Sequence, residues 1–175
     1  MLDVLRDLIG PHYLIVKWVH VMSVAVWAFS TAVGYSYMVK PAYLAWKKDP
    51  TDAQRKWLRD WTLRKFDHGV VLEHVAFPLL IVTGLMMVWI QGWPLDEVYW
   101  LTVKIGVVAL IFGPIEVLDY HISHYSGRKS LARDAGDEEE YERRVSFHWK
   151  FLTITTWFVM VFIPLNFFLA IVKPF

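Results

Sequence analysis

Four stretches of the chain are long and apolar enough to cross a lipid bilayer, and no other feature limits its fold as strongly. They run from about Tyr13 to Val39, Val70 to Ile90, Tyr99 to Tyr120 and Trp149 to Val172. A helix needs ~20 mostly apolar residues to cross ~30 Å of hydrocarbon. Inside the bilayer only helices and closed barrels satisfy every backbone polar group. The stretches fill more than half of the 175 residues, so no separate soluble domain fits. The expectation is an all-α integral membrane protein, one domain folded as an up-down bundle of four transmembrane helices.

Orientation follows from Lys and Arg. The Lys40–Gly69 loop carries eight (Lys40, Lys47, Lys48, Arg55, Lys56, Arg59, Arg64 and Lys65) and the Tyr125–Phe147 loop five (Arg128, Lys129, Arg133, Arg143 and Arg144). The Gln91–Val98 loop has none, and each terminus has one, Arg6 and Lys173. The positive-inside rule puts both long loops in the cytoplasm and both termini on the other side, in a bacterial inner membrane. In the first loop, Thr51-Asp-Ala-Gln54 reads as a capping box opening a helix. There Trp57, Leu58 and Trp61 share a side flanked by Arg55, Arg59 and Arg64, which suits either an interfacial amphipathic helix or one packed on the bundle end. The second loop reads as a solvated helical hairpin, with Asp137–Glu140 as a soluble face.

Composition narrows the function classes. The absence of cysteine excludes zinc fingers, iron–sulfur clusters and thiol nucleophiles, and a net charge of +1 gives no steering field for nucleic acid. Ionisable groups at membrane depth are costly and mark function by default. Lys17 and His20 fall in the outer half of the first span, three residues apart and so on one face, and Lys104 in the outer part of the third. Glu73, His74 and His148 stand near the cytoplasmic boundary, joined by Glu116, Asp119, His121 and His124 at the end of the third span.

In an up-down bundle, spans one and three are diagonal, as are two and four. The outer layer then brings Lys17 and His20 towards Lys104, and the inner layer brings His74 towards His148. Imidazoles at equal depth on facing helices suit an axially ligated haem, whose carboxylates Lys17 or Lys104 could pair with. The inner layer also suits a divalent metal ion held by His74, His148, Glu73, Glu116 and Asp119, a set of hard carboxylates and imidazoles. Plainer readings stand beside these. The lysines could snorkel to the interface, His74 and His148 could be polar span ends, and His121 a headgroup-level helix end rather than a ligand. Gly113-Pro114 and Pro78 are expected to kink their helices. Lipid-facing aromatics could instead dock the chain in a homo-oligomer or a larger membrane complex as an accessory subunit.

Three local patterns resemble the superfamily of the HemJ-type protoporphyrinogen IX oxidases and, more distantly, the CopD-like membrane domains. Lys17-Trp-Val-His20 followed by Trp27 is similar to its Lys-x-x-His…Trp signature, and Tyr99-Trp-Leu-Thr-Val-Lys104 with Gly106 to its Trp-Leu-x-x-Lys segment. The ending Ile171-Val-Lys-Pro-Phe175 is similar to the Val-Val-Lys-Pro-Phe of HemJ-type chains, with Pro164 and Asn166 ahead of it in reversed order. The resemblance implies haem b in the bundle and redox chemistry on a porphyrinogen, linked to quinone. It makes His20 a ligand or catalytic residue, with Lys17, Trp27 and Lys104 beside it. The arginine-rich start of the family's second span appears only as Arg64-Lys65, and Glu73, His74, Glu116, Asp119 and His148 have no counterpart there. A paralogue acting on a different substrate fits those departures.

Overall fold

The computed structural model describes residues 2–174, with side chains from Arg6 onward, so Phe175 of the C-terminal ending lies outside the described residues. Among them every regular element is helical. Four long helical segments, Arg6–Lys48, Ala53–Gln91, Tyr99–Asp134 and Glu138–Val172, are apolar and long enough to cross a membrane. The chain divides into two compact units, Met1–Trp93 and Pro94–Phe175.

In the first unit, α1 (Leu2–Ile9) and a 3-10 turn lead into α2 (Tyr13–Gly34), a π-helical turn (Tyr35–Val39) and α3 (Lys40–Lys48). After a tight turn come α4 (Ala53–Gly69) and α5 (Val71–Gln91), and α2 packs along α5. The helix that starts as the first span thus runs on to Lys48, well into what reads in sequence as a loop. Pro41 accounts for the π turn. Its ring crowds the carbonyl four residues back, that of Tyr37, and widening the turn by one residue relieves the clash.

At the 49–52 turn, Asp49 accepts the Thr51 amide (3.2 Å) and hydroxyl (2.7 Å), and these bonds hold its carboxyl below the usual carboxylate range. The cap of α4 is Asp52, not Thr51: its Oδ1 accepts the amides of Gln54 (2.9 Å) and Arg55 (3.1 Å). The buried side of α4 is also not the tryptophan side. Arg59, Thr62, Leu63 and Phe66 are buried while Trp57 and Leu58 are exposed. Arg59 becomes tolerable there because its guanidinium stacks 4.0 Å over Trp46 and pairs with Asp60 at 2.7 Å. Gly34 admits Phe66 closely, since a Cβ there would lie 3.1 Å from the ring.

α5 continues through Pro78 and ends at Gly92, whose φ of 63° is the left-handed conformation of a helix C-cap. Arg6 closes that end, donating from Nε to the Ile90 carbonyl at 3.1 Å, a cation at the negative pole of the helix.

In the second unit, α6 (Tyr99–Val107), a second π turn (Val108–Phe112) and α7 (Gly113–His124) form one long helix, followed by the short α8 (Lys129–Asp134) and α9 (Glu138–Val172). The second π turn also precedes a proline, Pro114, for the same steric reason. α9 packs against α6, α7 and α8. Asp137 caps α9, accepting the Glu140 amide at 2.9 Å, and Glu138–Glu140 fill its first turn, where negative charge is favoured. The acidic run therefore starts a helix. The far end of α9 closes on Lys173, at φ 49°, with its ammonium 5.4 Å from the centre of the Trp100 ring. Large apolar side chains such as Leu14, Phe29, Leu110, Val117, Trp157 and Ile171 face outward, a pattern that water would penalise heavily.

Candidate functional sites in the two units

The α2–α5 seam of the first unit positions His20. Its Nδ1 lies 3.1 Å from the Leu80 carbonyl and 3.1 Å from Thr83 Oγ1. The carbonyl can only accept, and the Thr83 hydroxyl gives its own proton to the Leu79 carbonyl at 2.6 Å. Nδ1 is therefore the donor in these contacts. Gly84 makes the approach possible, because a Cβ there would stand 3.2 Å from His20 Cε1.

Further along the seam, Trp27 is buried with its ring centre 5.4 Å from that of Phe77. Ser30 Oγ donates to Glu73 Oε2 at 3.1 Å, and Glu73 is itself buried. Thr83 and Glu73 are ten residues apart on α5, about 15 Å of helical rise, so His20 and Glu73 mark separate ends of the seam. His74 is half-buried beside Glu73, and Lys17 lies on the exposed side of α2.

The second unit buries a different cluster. His148 on α9 is fully buried, with Nδ1 2.5 Å from Lys129 Nζ and Nε2 3.6 Å from Asp119 Oδ1. An ammonium only donates, so His148 accepts at Nδ1 and, as a neutral ring, carries its proton on Nε2, towards Asp119. Glu116, Asp119 and Ser123 are all buried and recur at helical spacing on one face of α7. Lys129 is buried too, the first residue of α8 folded back against α9. His121, two residues from Asp119 and so on another face, is exposed near Ser126. Lys104 is half-buried on α6.

Of the residues picked out by sequence, the fold brings His20 and Trp27 to one seam, with Glu73 at its far end. It brings His148, Asp119 and Glu116 into one buried cluster, from which His121 is separated. Lys129, Ser123 and Arg59 escaped the reading of the sequence. The first and last sit in charged loops where a cation normally reads as solvated, and Ser123 could have been found from the 116, 119, 123 spacing. Among the described residues, no group of three or more His, Cys, Asp or Glu side chains converges as the ligands of a metal ion would. Comparison with protein-family models, with curated proteins and with solved structures finds no match to this chain.

Proposed function

We propose that the chain is an integral membrane protein with a redox role of HemJ-like type, in which His20 would hold a b-type haem. The observation that carries this reading is the contact of His20 Nδ1 with the Leu80 carbonyl. A histidine that ligates a metal characteristically donates its other ring N–H to a backbone carbonyl, which fixes the tautomer and raises ligand basicity. The donor set fits the group: a neutral imidazole, with no sulfur or carboxylate required beside it. A haem held there would supply one-electron transfer.

The chain's own residues do the rest. Leu80 and Thr83 orient the imidazole, Gly84 leaves it room, and Trp27 with Phe77 provides an apolar aromatic wall. Lys17, on the exposed side of α2, would pair with carboxylates near the membrane surface, and the family resemblance implies a similar role for Lys104. His148, with one nitrogen facing an ammonium and the other a carboxylate, is read as a proton-holding link rather than an iron ligand. Its Nε2 faces Asp119 Oδ1 at 3.6 Å, an ion-pair separation across which a proton could be relayed. A reduced porphyrinogen or a quinol, which gives up protons together with electrons, is the matching substrate class. The proposed setting is a bacterial inner membrane with both termini outside and the Lys40–Gly69 and Tyr125–Phe147 loops in the cytoplasm.

The test is a reduced-minus-oxidised absorption spectrum of the purified full chain, with pyridine haemochrome quantitation. The expected result is haem b that disappears in His20→Ala, returns with added imidazole and survives in His148→Ala. Purified protein without porphyrin, or His20→Ala with unchanged haem content, overturns the proposal.

A further inference from the structure

The second unit also holds a surface cavity of about 280 Å³ at the junction of α7 and α9, apart from both clusters above. Its walls include His121, Ser126, Glu140, Arg143, Arg144 and Phe147. We propose that it binds the phosphate group of an anionic phospholipid headgroup.

The electrostatics come first. The Glu140 carboxylate accepts Arg143 Nε (2.5 Å) and Nη2 (2.8 Å) and Arg144 Nε (2.7 Å). Arg144 Nη1 donates to the Ser126 (3.0 Å) and Arg128 (2.8 Å) carbonyls. One carboxylate thus faces two guanidinium groups, leaving a net positive charge at the cavity wall. Arg143 Nη1 and Arg144 Nη2 keep N–H donors that no described residue takes up. Both arginines are already held by Glu140, and Arg144 also by the loop carbonyls, so an arriving phosphate orders little that is not ordered already. Guanidinium donors match phosphate oxygens in geometry as well as charge.

Position selects the lipid as the source. Arg143 and Arg144 precede Trp149, where the apolar stretch of α9 starts, by five or six residues, about 8 Å of helix. That is headgroup depth for a helix entering a bilayer, where basic pockets collect anionic lipids. Phe147, 52% exposed on the same wall, offers an apolar surface to the glycerol end of the lipid. The inference rests on the membrane reading of the four long helices and not on haem.

Titration of the full-length chain in neutral detergent with phosphatidylglycerol, phosphatidylcholine and inorganic phosphate, followed by native mass spectrometry, tests it. Phosphatidylglycerol is expected to bind in preference to phosphatidylcholine. Arg143→Gln, at an exposed arginine that can be lost without unfolding, should weaken it about fivefold. Arg133→Gln removes the same charge from α8, where Arg133 pairs with Asp134 away from the cavity, and should change nothing. Equal weakening by both variants, or equal binding of the two lipids, overturns the proposal. Arginine-dependent binding of inorganic phosphate with no gain from the lipid overturns the lipid assignment. Recovery of the chain from the soluble fraction without detergent would instead remove the membrane reading beneath it.

Discussion

A histidine in an apolar helix pair is chemically useful when its tautomer is set, and in this chain a backbone carbonyl does the setting. Thr83 adds a second acceptor to His20 Nδ1; on the proposed haem reading, Thr83→Val, nearly isosteric, should leave the fold intact and lower haem affinity about tenfold. Haem titration followed at the Soret band measures it, and unchanged affinity would leave the Leu80 carbonyl alone as the orienting group. The Lys129–His148–Asp119 chain poses the opposite problem, charge held where solvation is absent. Lys129→Met should cost about 3 kcal/mol of stability, because it removes the cation from a buried ionic arrangement and leaves its partners behind. A lowered melting temperature in detergent is the expected result. His20 stood out in the sequence because an ionisable group deep in an apolar stretch is conspicuous. Lys129 did not, because among loop residues burial depends on how the chain folds back, which no local pattern encodes.

At the scale of the element, both π turns lie immediately before an x-Pro step, at Lys40-Pro41 and Gly113-Pro114. The sequence marks where the helix must give way. The response, an extra residue in the turn, depends on the steric detail of the carbonyl four residues back. α4 shows the reverse dependence: its tryptophan stripe suits an interfacial or an end-packed helix, and the structure buries the Arg59 side, where Trp46 on α3 stacks on the guanidinium, while Trp57 and Leu58 stay exposed. Helix ends are set by single residues. Gly92→Ala forces a side chain into a left-handed φ of 63° and places its Cβ 2.8 Å from Arg6 Nη2. The expected cost is about 1–2 kcal/mol from the backbone alone. Thermal melting against Gly106→Ala, where a Cβ meets nothing within 4 Å, separates strain from a generic loss of glycine.

For the molecule as a whole, the outward-facing leucines, phenylalanines and tryptophans of the four long helices set the environment the chain needs. The absence of cysteine makes its topology directly measurable. Single cysteines placed at Asp49 and Ala135 should react with a membrane-impermeant maleimide only in inverted vesicles, and one at Leu95 only in right-side-out vesicles. Labelling of Leu95 and Asp49 from the same side would break the crossing of the helix between them, and labelling with the two vesicle orientations exchanged would break the positive-inside assignment. The four apolar stretches and the Lys and Arg bias between them are one-dimensional quantities, length and count, and the sequence by itself determines those. Which nitrogen of His20 carries its proton, which lysine is buried against His148 and which arginines frame a cavity are decided only in the tertiary structure. Each depends on a partner distant in the chain: Leu80 for His20, Lys129 for His148, Ser126 for Arg144. Hydrophobic burial selects helices by their average character, whereas hydrogen bonds and ion pairs act over about 3 Å and so exist only once the helices have packed.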